Sequence, residues 1–211
     1  MITTSLQCAR AKKVAAYLDE WLPSPSIPLC HKDPYTLLIA VLLSAQCQDI
    51  RVNQVTHVLF DKASTPQEMI RLPLEEIRRI IYPCGLYMKK AQAILDLSWI
   101  LLKHHKGTVP ASLASLEALP GVGHKTASVL LVQAFNIPTF PVDTHIHRVA
   151  KRWGLSSGVD ISTTEYDLKC LFPEASWGKR HLQMIAYART FCKARGHKTC
   201  PLCEQLAHLQ F

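Results

Sequence analysis

Proline marks the starts of helices in this chain, and that punctuation leaves little room for a sheet. Asp33-Pro34 pairs an N-cap residue with proline at the first helical position, and a nearly all-apolar helix is predicted over 35–46. Apolarity on every face predicts that this helix is buried. Thr65-Pro66 repeats the signal before a short helix over 67–71, and Pro73 opens another through 81. Residues 88–105 carry Ala91, Ile94, Leu95, Leu101 and Leu102 at the helical period. Further helices are predicted over 112–119, 125–135, 143–153, 163–172 and 174–191, with Pro120-Gly121 as a break. There is no run of alternating strands and no internal repeat, so the expected class is all-α.

Composition bounds what such a fold does. The 211 residues are 48% hydrophobic and 19% charged, enough to bury a core and too apolar for a disordered chain. The longest apolar run, 37–43, is far short of the ~20 residues that cross a bilayer. The first ten residues show no basic stretch followed by an apolar one, so an intracellular, cytoplasmic protein is expected, nucleoid-associated if bacterial. Lys and Arg number 24 against 16 Asp and Glu, and the net charge of +8 suits either a polyanionic partner or simply a solvated basic face. Proline-rich segments at 22–28 and 136–141 read as linkers. If both are crossings between lobes, the segment between them is one helical domain and the two chain ends form a second together.

Three segments carry chemistry. In the first, a helix ends, Pro120-Gly121-Val122-Gly123 turns, and a helix begins near Lys125. Glycines allow close approach and a helix start offers N–H groups, which together suit a phosphate, although an ordinary helical hairpin reads the same way. A phosphate-binding P-loop is excluded: His124 stands where it needs glycine, and a helix precedes the turn. In the second segment, Asp143 sits at a helix start, where capping is its commonest role. His145 and His147 would pair on a metal only on a strand, because on a helix they diverge by about 200°.

The third segment holds three of the eight cysteines, Cys192, Cys200 and Cys203. A Cys-x2-Cys pair with a third cysteine upstream suits zinc or an iron–sulfur cluster. The remaining five are scattered, and Cys47 reads as a buried small hydrophobe.

In this order, the segments resemble the endonuclease III family of helix-hairpin-helix DNA glycosylases. Leu119-Pro-Gly-Val-Gly-His-Lys-Thr-Ala127 looks like the family's hairpin with its catalytic lysine, over about 113–134. Pro141-Val-Asp-Thr-His145 looks like its aspartate loop, Leu42-Leu-Ser-Ala-Gln46 like its early signature, and Gly85-Leu-Tyr87 matches as well. The resemblance runs from about Asp33 to Cys203. It implies a six-helix barrel domain over 29–137 and an iron–sulfur domain made from both chain ends, 1–28 with 138–211, flanking a DNA-binding cleft. The implied reaction is removal of oxidised pyrimidines from duplex DNA by a monomer, followed by β-elimination at the abasic site.

The resemblance also assigns roles. A base in a duplex must be flipped out before it is attacked. Gln46 would fill the gap and Leu86 would wedge against the opposite strand. The amides of Gly121, Val122 and Gly123 would hold a phosphate, with His145 a further DNA contact. Lys125 would attack the sugar, which requires a neutral amine and so a lowered pKa, and a helix start favours this. Asp143 would assist deprotonation or stabilise the cationic sugar. A lysine at this position also separates the lyase-competent branch from adenine-mismatch glycosylases.

The family's cluster motif is Cys-x6-Cys-x2-Cys-x5-Cys, and this chain departs from it. Seven residues separate Cys192 from Cys200, and Leu209 stands where the fourth cysteine belongs. A [4Fe–4S] cluster is expected, held by the three cysteines with His208 as fourth ligand. A labile three-cysteine cluster, or a site that is empty or takes zinc, are the other readings. Nearby Lys193, Arg195 and Lys198 suit phosphates. Other functions compatible with the sequence are a related glycosylase of different base preference, a DNA-binding relic without chemistry, and a metal hydrolase using His145 and His147.

Overall fold

The computed structural model describes residues 4–209. Among them are twelve α-helices, two 3-10 turns and no strand. The chain divides into two compact units, one from 28 to 137 and one from the segments before and after it. The division falls within the proline-rich stretches at 22–28 and 136–141.

The central unit is organised around α2 (Pro34–Ser44), which Asp33 caps by accepting from the Thr36 amide at 2.8 Å. All nine residues from Tyr35 to Leu43 are buried. The predicted all-round apolarity therefore does become full enclosure. The Tyr35 hydroxyl, which needs a polar partner when buried, meets Ser98 at 2.7 Å. Around α2 lie α3 (Asp49–Lys62), α4 (Pro66–Met69), α5 (Leu74–Ile81), α6 (Tyr87–His105), α7 (Leu113–Glu117) and α8 (His124–Ala134). A 3-10 turn, Tyr82–Cys84, links α5 to α6.

The other unit joins α1 (Ser5–Trp21) to α9 (Thr144–Arg152), α10 (Ile161–Leu171), α11 (Trp177–Thr190) and α12 (Pro201–Ala207). Tyr187 of α11 is its aromatic centre, with the rings of Trp21, Trp153 and Phe191 at 5.3, 5.7 and 5.0 Å. Asp19 of α1 is clasped by Arg180 of α11, and Gln183 donates to the Leu18 and Leu22 carbonyls. These bonds anchor the N-terminal helix to a segment more than 160 residues away.

Three helices lie outside the set expected from sequence. α1 is announced only by a capping box, Thr4 with Gln7. α3 starts at Asp49 after Gln48, which makes no side-chain cap, so its only start signal is the acidic Asp49 in its first turn. α12 begins at Pro201 inside the cysteine segment, where the metal-ligand spacing masks the helical period. The helix expected over 35–46 stops two residues sooner, and 174–176 forms a 3-10 turn before α11. Cys47 is half-buried rather than buried, while Cys84 is enclosed.

Candidate functional site: a glycine hairpin, a capped aspartate and a cysteine–histidine quartet

The hairpin joins α7 to α8 within the central unit. Gly121 has φ +75°, and a Cβ there would meet Ala93 Cβ at 2.9 Å and Leu42 Cδ1 at 3.1 Å. Glycine is thus required by backbone and packing together. Gly123 differs: a Cβ there meets nothing within 4 Å and its φ is −93°. Nothing inside the protein demands glycine at this N-cap, which brings no side-chain cap to the first turn of α8. Val122 is turned inward, its side chain buried and its amide donating to the Leu119 carbonyl at 3.1 Å. Among the expected phosphate-holding amides, that of Val122 is therefore already engaged. Lys125 is half-buried in the first turn of α8. Beside it, His124 Nδ1 lies 2.7 Å from Glu117 Oε1, tying the two hairpin helices together.

In the other unit, Asp143 caps α9. Its Oδ1 accepts from the His145 and Ile146 amides at 2.9 and 2.8 Å, so capping uses one carboxylate oxygen. His145 and His147 diverge on this helix. Arg148 reaches His145 Nδ1 at 3.3 Å, whereas His147 Nδ1 meets Thr164 Oγ1 at 2.8 Å. Neither histidine belongs to a metal-ligating group among the described residues.

Cys192, His197, Cys200 and Cys203 do form such a group, with their ligand atoms all within 4.8 Å of one another. Arg152 Nη1 approaches Cys192 Sγ at 3.3 Å and also binds the Lys193 carbonyl at 2.7 Å. The Cys203 thiol and then Arg152 stabilise the Cys192 thiolate, pulling its pKa down to about 5 against the effect of burial. Hydrogen bonding to Cys192 and burial push Cys203 in the opposite direction. The expected fourth ligand, His208, is exposed at the C-cap of α12 and lies outside the group. Helical geometry explains the correction: His208 follows Cys203 by more than a turn, while the longer loop before Cys200 carries His197 inward, to 3.9 Å from Cys203 Sγ.

Gln46 and Leu86 sit on two bends of the central unit. Both are exposed, and both have left-handed backbone, with φ of 56° and 48°.

Residues 39–174 match the family described as HhH-GPD superfamily base excision DNA repair protein. The chain is 42% identical to endonuclease III of Escherichia coli K12 over 187 residues, 89% of each protein. It is 39% identical to endonuclease III of Bacillus subtilis 168 over 188 residues, 88% of this chain and 86% of that one. The chain belongs to the endonuclease III family. A solved non-covalent endonuclease III–DNA complex superposes with a TM-score of 0.90 at 39% identity, covering 97% of this chain and 95% of that one. A trapped endonuclease III–DNA covalent intermediate gives 0.89 at 39% identity, covering 96% and 94%. A thermostable thymine-DNA glycosylase, 21% identical with a TM-score of 0.80 over 93% of each chain, shares the fold.

Endonuclease III proteins are DNA glycosylases with abasic-site lyase activity, and this chain is one of them. The family usually carries a [4Fe–4S] cluster, and the donor set here is consistent with one: three thiols and an imidazole, a ligand that replaces thiolate on iron elsewhere. Sequence reasoning misses His197. The extra residue between Cys192 and Cys200, taken together with the missing fourth cysteine, is the signal that could have found it.

Proposed function

We propose that this chain removes oxidised pyrimidines from duplex DNA and cleaves the resulting abasic site through Lys125, with Asp143 as the assisting carboxylate. One observation carries the reading: Lys125 occupies the first turn of α8 directly after the Pro120-Gly121-Val122-Gly123 bend, in a chain 42% identical to a bacterial endonuclease III. A solved relative was trapped as a covalent intermediate with DNA, as an amine nucleophile requires.

The chemistry follows from the groups. The Lys125 amine, in its neutral form, attacks C1′ of the damaged nucleotide, and the C1′–N bond breaks with its electrons leaving on the base. The sugar ring opens to an iminium on Lys125. That cation acidifies the C2′ proton, whose loss breaks the C3′–O bond and releases the 3′ phosphate. Water then frees the lysine. Asp143 serves as base toward the amine or as counter-charge to the sugar cation, through Oδ2, the oxygen its helix cap does not use. Gly123 gives a backbone phosphate close access to the start of α8. Gln46 and Leu86 take the gap and the wedge positions, and His145 is a further contact with DNA. The work is done in the cytoplasm, at the nucleoid in a bacterial cell, and by a monomer.

Cys192, His197, Cys200 and Cys203 are the residues that would hold the cluster. When bound, it would cross-link the loop before α12 and display Lys193, Arg195 and Lys198, all exposed, toward phosphates. Metal analysis tests this: four iron and four sulfide per chain support it, and one zinc with no sulfide, which the same donors also suit, overturns it.

Borohydride trapping on a duplex carrying one thymine glycol tests the reaction itself. A covalent adduct in the wild type and none in Lys125→Ala is expected. Base removal without an adduct would make the enzyme monofunctional and end the role given to Lys125.

A further inference from the structure

A buried ammonium lies behind Gln46 and Leu86. Lys90, in the first turn of α6, is 6% exposed. Its Nζ donates to the carbonyls of Leu43 at 2.9 Å, Ala45 at 2.8 Å and Cys84 at 3.0 Å. All three ammonium protons are thereby used, and all three acceptors are backbone.

The position is a costly one for a lysine. Burial disfavours its charge and holds its pKa below the ordinary lysine value. The positive end of α6 disfavours it as well. None of its three acceptors is a carboxylate. A cation kept there at such cost is doing something that an apolar side chain of the same length would not.

The identity of the carbonyls shows what that is. The Ala45 carbonyl belongs to the peptide bond that leads into Gln46. The Cys84 carbonyl belongs to the peptide bond before Gly85, one residue ahead of Leu86. The Leu43 carbonyl is in the last turn of α2. One ammonium therefore ties together the two bends that carry Gln46 and Leu86. Both residues have left-handed backbone, a conformation that persists in non-glycine residues only where the surroundings hold it.

We propose that Lys90 is a positioning residue for base flipping: by tying the Ala45 and Cys84 carbonyls to one ammonium, it holds Gln46 and Leu86 at a fixed separation for entry into the duplex. This rests on the assignment of the gap and wedge positions to those two residues. Lys90 touches no DNA; it acts through the backbone.

The experiment compares two substrates under single-turnover conditions. One is a duplex with a paired thymine glycol, whose excision needs flipping. The other is a single strand with an abasic site, whose cleavage needs none. Lys90→Met is expected to lose at least tenfold on the duplex and less than threefold on the single strand. Lys90→Gln, which keeps two N–H donors, is expected to fall between Met and wild type on the duplex, and it takes the same comparison if the Met variant does not fold. Gln46→Ala and Leu86→Ala are run on the duplex as references.

Equal loss on both substrates would reduce Lys90 to a structural residue and overturn the proposal. Full duplex activity in Lys90→Met, with loss in Gln46→Ala and Leu86→Ala, would overturn the proposal and leave the gap and wedge assignment standing. Full duplex activity in Gln46→Ala and Leu86→Ala would overturn that assignment, and the role of Lys90 with it.

Discussion

Arg180 holds Asp19 with both guanidinium nitrogens, Nη1 to Oδ1 at 2.9 Å and Nη2 to Oδ2 at 2.6 Å. The pair fixes α1 against α11, and Lys179 adds a second cation at 2.5 Å. Hydrogen bonding from Arg180 holds the Asp19 carboxyl well below its ordinary 3.8. A depressed carboxylate pKa contributes stability that is present above the unfolded value and lost as pH falls through the folded one. Thermal stability should therefore owe a constant amount to this pair from pH 7 to about 5 and lose that contribution progressively below pH 4. Asp19 is partly solvated, so Asp19→Asn should cost about 1–2 kcal/mol at pH 7 after allowing for screening. Melting curves of both proteins from pH 7 to 3 should converge toward the acid end. A constant gap would show that the Asp19 carboxyl has the same pKa in the folded and unfolded protein.

The two hairpin glycines should behave differently. Gly121→Ala forces a left-handed backbone on alanine and drives its Cβ against Ala93 and Leu42. A loss of about 2–4 kcal/mol is expected from the two effects. Gly123→Ala meets no neighbour and keeps an ordinary φ, so its stability should stay within about 0.5 kcal/mol of wild type. Its affinity for DNA should nevertheless fall, because the added methyl stands at the helix start proposed above to receive a phosphate. Urea melts and DNA titrations of the two variants separate these outcomes. Equal DNA affinity in Gly123→Ala would move the phosphate elsewhere.

Asp143 caps α9, and the proposed reaction gives it a second duty that substitution can divide from the first. Asparagine retains an oxygen to accept from the His145 and Ile146 amides, so Asp143→Asn should keep α9 capped and melt near wild type. Asp143→Ala loses the cap and should cost about 1 kcal/mol. Both should lose single-turnover excision by a similar factor. Excision retained by Asp143→Asn would confine Asp143 to capping.

The cysteine quartet makes a prediction about two histidines. His197→Ala should lower the metal content of the purified protein and soften the segment that follows Cys192. His208→Ala, on an exposed residue outside the quartet, should leave metal content unchanged. The opposite pattern would restore His208 as the ligand.

Much of the architecture is legible in stretches of a few residues. Asp33 and Thr65 start helices by accepting from amides three residues on, a relationship contained in a tetrapeptide. The turn at 120–123 is likewise local, since a helix stop, two glycines and a helix start are consecutive. Gln48 shows the limit of this: it precedes α3 with no side-chain cap, so the start of that helix lacks the tetrapeptide pattern that marks those two. His197 shows another. Spacing along the chain points to His208, but direction in space is set by the fold of the loop, and the loop turns His197 inward.

The sequence by itself determined the all-helical class, the hairpin that presents Lys125, the aspartate at the start of α9 and the three cysteines that gather near the C-terminus. Short-range physics suffices for these, because caps, turns and helical periods act over a few consecutive residues. The tertiary structure alone decided that Lys90 is enclosed beneath Gln46 and Leu86, that Val122 spends its amide inside the hairpin, and that His197 completes the quartet. Lys90 and its acceptor at Leu43 are 47 residues apart. No pattern of propensity or spacing links such positions; they meet because the helices between them pack around one buried apolar helix.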